Sequence, residues 1–429
     1  MKVAIVAENA STEMGGEAFL PYHYFRLLRE RKLDVHLVVH ARNARVLRRD
    51  FGGDWDRLHF VSDTWVHKAL FWLGLRLPRR VAEATTGFLL HLATQMVQRR
   101  IVRGLVRDEG IGIVHEPIPV SPKMPSLMFG LGAAVIIGPL NGGMEYPEAF
   151  RGEQSFFVRL AVAAGRRLAN LANRLLPGKL MAAVILVANR RTREALPAGV
   201  RGKVLELPEN GVNLALWRES SRPQNTNQQP KSKNARFVYV GRLVDWKALD
   251  IALAAIALVG DPSLLLDVIG DGPMRPAWER LSSELGLDSQ VSFHGWMSQQ
   301  ACAARLSGAT AFVLPSLFEC GGAVVLEAMA MRLPVIATAW GGPSEYLDGS
   351  CGILIPPESR DSLIRGFAGA MKTLAESPGL AARLGEAGYC RARESFDWDR
   401  KIDRILEIYQ WAASPQVHSH PVPQHASSY

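Results

Sequence analysis

The sequence predicts an α/β protein with two domains, each built on a parallel sheet. Short apolar strands alternate with amphipathic helices along most of the 429-residue chain, which is the pattern of repeated β-α units. This length suits two cores of about 200 residues each better than one. A polar stretch with two prolines divides the chain at 218–236. We predict domains over 1–217 and 237–396, a helix over 397–413, and a disordered tail over 414–429.

The composition is that of a soluble globular protein, with 48% apolar and 21% charged residues. The first residues, MKVAIVAENA, reach polar positions too soon for a signal peptide. No apolar run approaches the length of about 18 residues that a membrane span needs. The four cysteines are scattered, which favours neither a disulfide framework nor a zinc site. We therefore expect a cytoplasmic protein.

The positive charge of the chain lies in its first half. Residues 1–215 carry 30 Lys and Arg against 19 Asp and Glu, a net charge of +11, and residues 216–429 carry 20 against 22, a net charge of −2. Between Lys68 and Arg107 there are eight basic residues and one acid. Such a bias predicts an anionic partner, which is a phospholipid surface, a lipid diphosphate or nucleic acid.

Two helical segments combine apolar residues with arginines. Residues 65–80 mix tryptophan, phenylalanine and leucine with four cations, as in helices that lie in a membrane interface. Residues 156–176 show leucines at helical spacing, with arginines on other faces. Either segment could instead pack on the first sheet. We leave the two alternatives open for residues 65–80 and favour packing for residues 156–176.

The first domain opens with a β-α-β unit. A strand is predicted at 3–7, a helix at 18–31 and a second strand at 35–39. Gly15 and Gly16 stand in the loop after the first strand. The carboxyl ends of parallel strands are where α/β proteins bind ligands. We therefore predict that this glycine pair approaches a phosphate or an acceptor, although a flexible turn is the alternative.

Two later strands of the first domain end in polar residues. One strand ends at His115 and Glu116, and the next runs into a loop that contains Asn141 and then Glu145. Strand ends of a parallel sheet meet at one edge, so these four side chains are candidates for a shared acceptor-side cleft. A histidine at a strand end is more often structural than functional, and that alternative stands for His115.

The second domain begins with cations at a strand-to-helix loop. Arg242 follows the strand 237–241, and Lys247 stands five residues later at the start of a helix. A helix N-terminus disfavours cations, so an anion between the two would remove the conflict. A diphosphate suits both side chains. The next strand ends in a turn of the same kind, Gly270-Asp271-Gly272.

The stretch Pro315–Thr338 predicts a strand, a glycine turn, a helix and another strand. Glu319 stands at the turn and Glu327 eight residues later in the helix. Gly321 and Gly322 allow a ligand to approach the backbone at a helix N-terminus, where anions are favoured. Carboxylates in that place suit a ligand that also has hydroxyls. A nucleotide sugar supplies both the diphosphate and the hydroxyls.

Together these residues make the chain resemble the family-4 glycosyltransferases, which have two facing Rossmann-like domains (the GT-B architecture). The E-x7-E pair Glu319 and Glu327 lies in the frame P-S-x-x-E…L-E-A-M-A…P-V-I-A-T. The ordered set is completed by Gly241-Arg242 with Lys247, Gly270-Asp271-Gly272, Phe293-His294-Gly295 and Asn210-Gly211-Val212. The resemblance is close over residues 204–412 and looser before them.

The resemblance implies a role for each matching residue. Arg242 and Lys247 would hold the donor diphosphate and stabilise the departing nucleotide, Glu319 would bind the sugar, and Glu327 would bind the ribose. The remaining donor-binding positions would be Gly15, Gly16, Gly270, Asp271, Gly272, Cys320, Gly321, Gly322 and Ala323. The last helix would cross back to the first domain.

The family transfers with retention and without a metal, so no cofactor or metal is expected. Asp397 and Asp399 begin a helix, where acids suit the N-terminus, and we do not interpret them as a metal pair. The chain departs from the family at two places. It has Glu319-Cys320-Gly321-Gly322-Ala323 where the family often has E-G-F-G. It has no histidine in the loop of residues 138–143, where Asn141 is our candidate.

We predict a retaining glycosyltransferase that moves a hexosyl unit from a nucleotide diphosphate sugar to a glycan or a polyprenyl-diphosphate-linked acceptor. The expected place is the inner face of the cell membrane, with peripheral contact to anionic lipid. The alternatives are a nucleotide-sugar epimerase of the same architecture and a non-catalytic nucleotide-sugar-binding or scaffold protein. Nucleic acid is not an expected partner, because the basic residues lie among leucines and tryptophans.

Overall fold

The computed structural model describes residues 1–14, 16–76, 82–153, 165, 168–220 and 234–414. The chain forms two compact units, and neither is continuous in sequence. The first unit comprises Met1–Gly143, Phe156–Glu209 and Ile402–Tyr429, and the second comprises Met144–Ser155 and Asn210–Lys401. Each unit is a parallel sheet with helices, so the predicted α/β class is confirmed.

The first unit contains a seven-stranded sheet in the order β3-β2-β1-β4-β5-β6-β7. The strands are apolar runs, and most of their residues are buried, as expected of a parallel sheet covered on both faces. All pairings between these strands are parallel. The strands are β1 Lys2–Val6, β2 Asp34–His40, β3 Leu58–Val61, β4 Ile113–Glu116, β5 Ala134–Leu140, β6 Val184–Val187 and β7 Lys203–Glu206.

The helices of the first unit lie between these strands. The α-helices are α1 Phe19–Glu30, α2 Ala44–Asp50, α3 Trp65–Gly74, α4 Phe88–Glu109, α5 Gly178–Met181 and α6 Arg190–Glu194. The shorter helical segments are Gly16–Ala18, Ala41–Asn43, Gly52–Arg57 and Glu83–Gly87.

The second unit contains a six-stranded sheet in the order β10-β9-β8-β11-β12-β13. Its pairings between named strands are again parallel. The strands are β8 Ala235–Val240, β9 Leu264–Ile269, β10 Val291–Gly295, β11 Ala311–Leu314, β12 Val335–Thr338 and β13 Gly352–Ile355.

The second unit carries the later helices. They are α7 Leu214–Ser220, α8 Leu249–Val259, α9 Arg275–Glu284, α10 Gln299–Leu306, α11 Ala323–Ala330, α12 Pro343–Tyr346, α13 Arg360–Glu376, α14 Pro378–Ser395 and α15 Trp398–Ala413, with short helical segments at Glu148–Glu153 and Asp245–Lys247. Helix α15 starts in the second unit and belongs to the first unit from Ile402 onward.

Each sheet has one point at which the strand order reverses. It lies between β1 and β4 in the first sheet and between β8 and β11 in the second. Ligands of open parallel sheets bind at the carboxyl ends of the strands at such a point. Arg242 and Lys247 follow β8, and Glu319 follows β11, so these side chains stand at the reversal in the second sheet.

The structure differs from the sequence-based element map in three places. Strands β3 and β7 of the first sheet were not predicted. Residues 144–153 pack with the second unit, although they lie within the predicted first domain. Most of the predicted linker, residues 221–233, and the tail from residue 415 lie outside the described residues, whereas Arg236 belongs to β8.

Candidate active site

The centre of the candidate site is an ion pair between Lys247 and Glu319. The ammonium group of Lys247 bonds to Oε2 of Glu319, and the side chains are only 15% and 12% exposed. Lys247 ends the short helical segment after β8, and Glu319 lies in the turn after β11. The amide of Leu317 donates to the carbonyl of Trp246 at 2.9 Å and ties the two loops together. The structure therefore brings together two of the three predicted catalytic residues.

Arg242 stands at the same edge of the second sheet. Its side chain is exposed, and its carbonyl accepts hydrogen bonds from the Tyr239 hydroxyl at 3.3 Å and the Val244 amide at 3.1 Å. Tyr239 was not predicted to belong to the site. Burial, with a further contribution from the nearby charge of Glu319, raises the pKa of the Tyr239 hydroxyl. The side chain of Tyr239 is therefore uncharged where it contacts the loop that carries Arg242.

The turn Gly270-Asp271-Gly272 packs on the loop that carries Arg242. A Cβ atom on Gly270 would lie 1.9 Å from the carbonyl oxygen of Gly241, and one on Gly272 would lie 2.3 Å from that of Leu243. The amide of Leu243 donates to the carbonyl of Asp271 at 2.9 Å. These glycines are required for close packing between two loops. Their predicted contact with the donor stays a prediction.

Close packing between Gly321 and Gly342 fixes the turn after Glu319. The amide of Gly342 donates to the carbonyl of Glu319 at 2.8 Å, and a Cβ atom on Gly342 would lie 2.0 Å from the carbonyl oxygen of Gly321. Gly322 has a φ angle of +75° and immediately precedes α11. Cys320 and Ala323 are partly buried on either side of it. The N-terminus of a helix suits an anion.

Glu327 lies within α11 and is partly buried. Burial raises the pKa of its carboxyl group to about 7, and a hydrogen bond from the Gln299 side chain opposes that rise. Gln299 is the first residue of α10, which the side chain of Ser298 caps. Gln299 was not predicted, because the contact joins two helices that are far apart in sequence.

His115 and Glu116 lie in the interior of the first unit. His115 is fully buried, with Nδ1 2.6 Å from the Tyr409 hydroxyl and Nε2 2.6 Å from the carbonyl oxygen of Gly138. Glu116 is buried and accepts hydrogen bonds from Gln95 and Ser126. The structure thus favours the structural alternative for His115. It also gives Glu116 partners that the sequence did not indicate.

A buried lysine, Lys179, holds the loop that follows His115 and Glu116 in sequence. The ammonium group of Lys179 donates to the carbonyls of Ser121 at 2.9 Å and Pro122 at 3.2 Å. Burial lowers the pKa of Lys179, and the charge of Glu116 opposes that shift. Lys179 was not singled out in the sequence, because a single cation beside an apolar run has no distinctive pattern.

Asn141 and Glu145 belong to different units. Asn141 is buried in the first unit, where its amide donates to Glu209 at 2.7 Å and its oxygen accepts from Asn189 at 3.3 Å. Glu145 belongs to the second unit, is exposed, and pairs with Arg151 at 3.4 Å. The four predicted acceptor-side residues are therefore divided between the two units. Gly16 precedes α1 with a φ angle of +56°, and Gly15 lies outside the described residues.

Helix α3 presents large apolar side chains to solvent. Trp65 is 80% exposed, Phe71 62% and Trp72 58%, and the guanidinium carbon of Arg76 lies 3.4 Å from the ring centroid of Trp72. Helix α3 is anchored by His67, which is buried and lies 3.1 Å from the hydroxyl of Thr94. The aromatic residues of α3 therefore do not pack on the sheet.

The second amphipathic segment also has exposed leucines. Leu168, Leu171 and Leu175 are all more than half exposed. The expectation that these leucines pack on the sheet is therefore wrong for the described part of the segment. Residues 156–164 lie outside the described residues. None of the described helices is long and apolar enough to cross a membrane.

The strand orders of the two parallel sheets define a class of protein, the proteins with the GT-B fold. HepE from Anabaena, solved in complex with UDP, matches with a TM-score of 0.65 at 17% identity, covering 96% of this chain and 100% of that one. A glycosyltransferase from Rickettsia africae matches with a TM-score of 0.66 at 14% identity, covering 96% of this chain and 99% of that one. The predicted GT-B fold is thus confirmed.

Sequence comparison finds a known family over part of the chain. Residues 221–391 match the family "Glycosyl transferases group 1". D-inositol 3-phosphate glycosyltransferase of Streptomyces griseus is 30% identical over 231 residues, which are 48% of this chain and 48% of that protein. Alpha-D-kanosaminyltransferase of Streptomyces kanamyceticus is 27% identical over 53% of this chain and 60% of that protein. The alignments thus cover about half the length of these curated relatives. The resemblance predicted from Glu319 and Glu327 is confirmed.

Proposed function

We propose that the protein is a retaining glycosyltransferase that moves a hexosyl unit from a nucleotide diphosphate sugar to a glycan or lipid-linked glycan. The observation that carries the proposal is the Lys247–Glu319 pair at the strand-order reversal of the second sheet. It combines a cation for a phosphate with a carboxylate for hydroxyls. The family match over residues 221–391 supports it independently.

The charges of the site suit the breaking of a glycosyl–phosphate bond. When that bond breaks, negative charge grows on the leaving diphosphate. Lys247 and Arg242 are positioned at one sheet edge to stabilise it, and such stabilisation is commonly the largest catalytic contribution. Donor binding would separate Lys247 from Glu319, so that the ammonium group meets the diphosphate and the carboxylate meets the sugar.

Turnover is the direct test of this proposal. Purified protein is incubated with uridine, guanosine and adenosine diphosphate hexoses, with and without a membrane lipid extract, and released nucleotide diphosphate is measured. We expect release with one donor class, stimulated by the extract. Tight binding of a donor without release under any condition would contradict the enzyme and favour a binding protein. Formation of an epimeric nucleotide sugar would favour an epimerase.

We further propose that transfer needs no metal ion and no cofactor. The positive charge that a divalent cation would supply to the diphosphate is supplied here by Lys247 and Arg242. Excess EDTA is expected to leave the rate of nucleotide diphosphate release unchanged. A rate that falls with EDTA and returns with Mg²⁺ would overturn this part of the proposal.

The acceptor is proposed to be presented at the inner face of the cell membrane, on anionic lipid. Support comes from the exposed Trp65, Phe71 and Trp72 of α3 beside Arg76. Aromatic rings suit the headgroup region, and each nearby cation gains about 1 kcal/mol from an anionic surface. The apolar and basic groups of this surface complement an anionic bilayer.

Sedimentation with lipid vesicles tests this contact. We expect the protein to sediment with vesicles containing phosphatidylglycerol at low salt and to remain in solution with pure phosphatidylcholine. Replacing Trp65, Phe71 and Trp72 by alanine should abolish sedimentation. Trp296→Ala is the control, since Trp296 is 73% exposed but belongs to the second unit. Equal sedimentation of the triple variant and the control would refute the contact.

A further inference from the structure

We infer that residues 144–153 form a strap on the second unit that sets the sugar end of the donor site, with Met144 and Tyr146 as positioning residues for Glu319. The inference rests on the proposed function. It concerns a segment that lies within the sequence of the predicted first domain but packs with the second unit.

The strap is anchored at its far end. Phe150 is 2% exposed and belongs to the hydrophobic core of the second unit. Its amide donates to the carbonyl of Pro147 at 2.9 Å, and Arg151 donates from Nε to the carbonyl of Tyr146 at 3.3 Å. These bonds fold the strap into a compact turn, so its other residues are held in defined positions.

Tyr146 contacts the residue that precedes Glu319. The rings of Tyr146 and Phe318 lie 5.3 Å apart at an interplanar angle of 34°. Both side chains are partly buried. Because Phe318 and Glu319 are consecutive, a shift of the Phe318 ring is transmitted to the carboxylate that is predicted to bind the sugar.

Met144 and Glu145 contact the turn that fixes Glu319 from the other side. A Cβ atom on Gly341 would lie 2.7 Å from Cε of Met144, and the indole nitrogen of Trp340 donates to the carbonyl of Glu145 at 2.8 Å. The next residue, Gly342, donates its amide to the carbonyl of Glu319 at 2.8 Å. The strap therefore contacts Phe318, which precedes Glu319 in sequence, and the turn at Trp340 and Gly341, which adjoins the backbone of Glu319.

These contacts separate two ends of the donor site. The strap packs on Phe318 and on the turn at Trp340 and Gly341, next to Glu319. The other end contains Glu327, which bonds to Gln299. A change in the strap should therefore alter recognition of the sugar and leave recognition of the nucleotide intact.

Calorimetry with bare nucleotide and with nucleotide sugar tests this separation. Affinities for UDP and GDP are compared with those for UDP-glucose, UDP-galactose and GDP-mannose, and their ratio gives the contribution of the sugar. The variants are Met144→Ala and Tyr146→Ala. Tyr146→Phe retains the ring, and Glu148→Ala is a matched control because Glu148 is an exposed residue of the same strap. Thermal melts confirm that each variant is folded.

We expect Met144→Ala and Tyr146→Ala to lower the contribution of the sugar about tenfold, as a small misplacement of a positioning group does. The affinity for bare nucleotide should stay within about twofold. Glu148→Ala should match the wild type, and Tyr146→Phe, which keeps the ring, should lose less of the contribution of the sugar than Tyr146→Ala. The ratio of kcat/KM between glucose and galactose donors should also change in the alanine variants.

Two results would overturn the inference. One is an unchanged contribution of the sugar in both alanine variants, and the other is an equal loss of affinity for bare nucleotide and nucleotide sugar. A wild type that binds nucleotide sugar no better than nucleotide would also refute it. If the wild type binds the sugar but releases no nucleotide, the proposed function fails, and the calorimetric comparison still decides the role of the strap.

Discussion

The strand-order reversals of the two sheets occupy the same topological position and are used differently. In the first unit, the reversal between β1 and β4 carries His115 and Glu116, whose polar atoms are taken by protein partners. In the second unit, the reversal between β8 and β11 carries the exposed Arg242 and the Lys247–Glu319 pair. The fold provides the position in both units. Whether charged groups there are left for a ligand depends on the surrounding side chains.

The strongest test of this difference is Lys247→Ala. It removes the cation that is proposed to stabilise the leaving diphosphate and leaves the Glu319 carboxylate without its partner. We expect kcat/KM for nucleotide diphosphate release to fall about 10²-fold to 10³-fold. Circular dichroism should show an unchanged fold. Lys372→Ala, which alters an exposed residue on α13, serves as the control. Wild-type kinetics in Lys247→Ala would show that Lys247, at the strand-order reversal of the second sheet, contributes no more to catalysis than the residues at the reversal of the first sheet.

His115→Ala should affect stability and not chemistry. The change empties a fully buried site and leaves the Tyr409 hydroxyl and the Gly138 carbonyl without this partner. We expect the free energy of unfolding to fall by about 2–4 kcal/mol. Chemical denaturation measures this loss, and kcat at a temperature well below the melting point should stay near that of the wild type. A kcat that falls as far as in Lys247→Ala would show that His115 acts on substrate.

Glu327 should make stability and donor affinity respond to pH in opposite directions. Burial raises the pKa of its carboxyl group in the folded protein to about 7 from an ordinary value of 4.5. Between these values the folded state binds more protons than the unfolded state, so the free energy of unfolding decreases as the pH rises. We expect a decrease of about 1–3 kcal/mol between pH 5 and 8. Donor affinity should increase over that range, because the carboxylate accepts hydrogen bonds from hydroxyls.

Glu327→Gln provides the control for this pH dependence. The amide does not titrate, so the part of the pH dependence that belongs to Glu327 should be missing from its denaturation curves. Stability curves of the variant and the wild type that run parallel from pH 5 to pH 8 would contradict the assignment.

The smallest expected effect belongs to a surface ion pair of the first unit. Arg31 and Asp403 lie 3.0 Å apart, and the Asp403 side chain is 65% exposed. Asp403→Asn should change the free energy of unfolding by less than about 1 kcal/mol, because solvent screens exposed pairs. Tyr409→Phe, which removes the hydroxyl that contacts His115 on the same helix, should cost more. If Asp403→Asn lowers the free energy of unfolding more than Tyr409→Phe does, the surface ion pair contributes more than the Tyr409 hydroxyl to the packing of the helix.

The sequence predicted the α/β class and the charged edge of the second unit because both depend on local patterns. Apolar runs and glycine turns indicate strands and loops, and Arg242, Lys247 and Glu319 each directly follow a predicted strand or loop. The partner of His115 could not be predicted in this way, because Tyr409 is 294 residues away in sequence. Nor could the position of residues 144–153, since the contact of Tyr146 with Phe318 exists only in the folded unit. The short strand β3 was missed because a run of four residues is too short to show a strand pattern.

Helix α15 has a practical consequence for exchanging domains between related enzymes. Ile402, Ile405, Ile408 and Tyr409 are buried in this helix, which belongs to the first unit from Ile402 onward. A cut at residue 209 would therefore deprive the first unit of its own C-terminal segment. It would also leave residues 144–155 on the fragment that encodes the first unit, although they belong to the second unit. Functional hybrids should be obtained only when 402–413 is inherited with the first unit and 144–155 with the second.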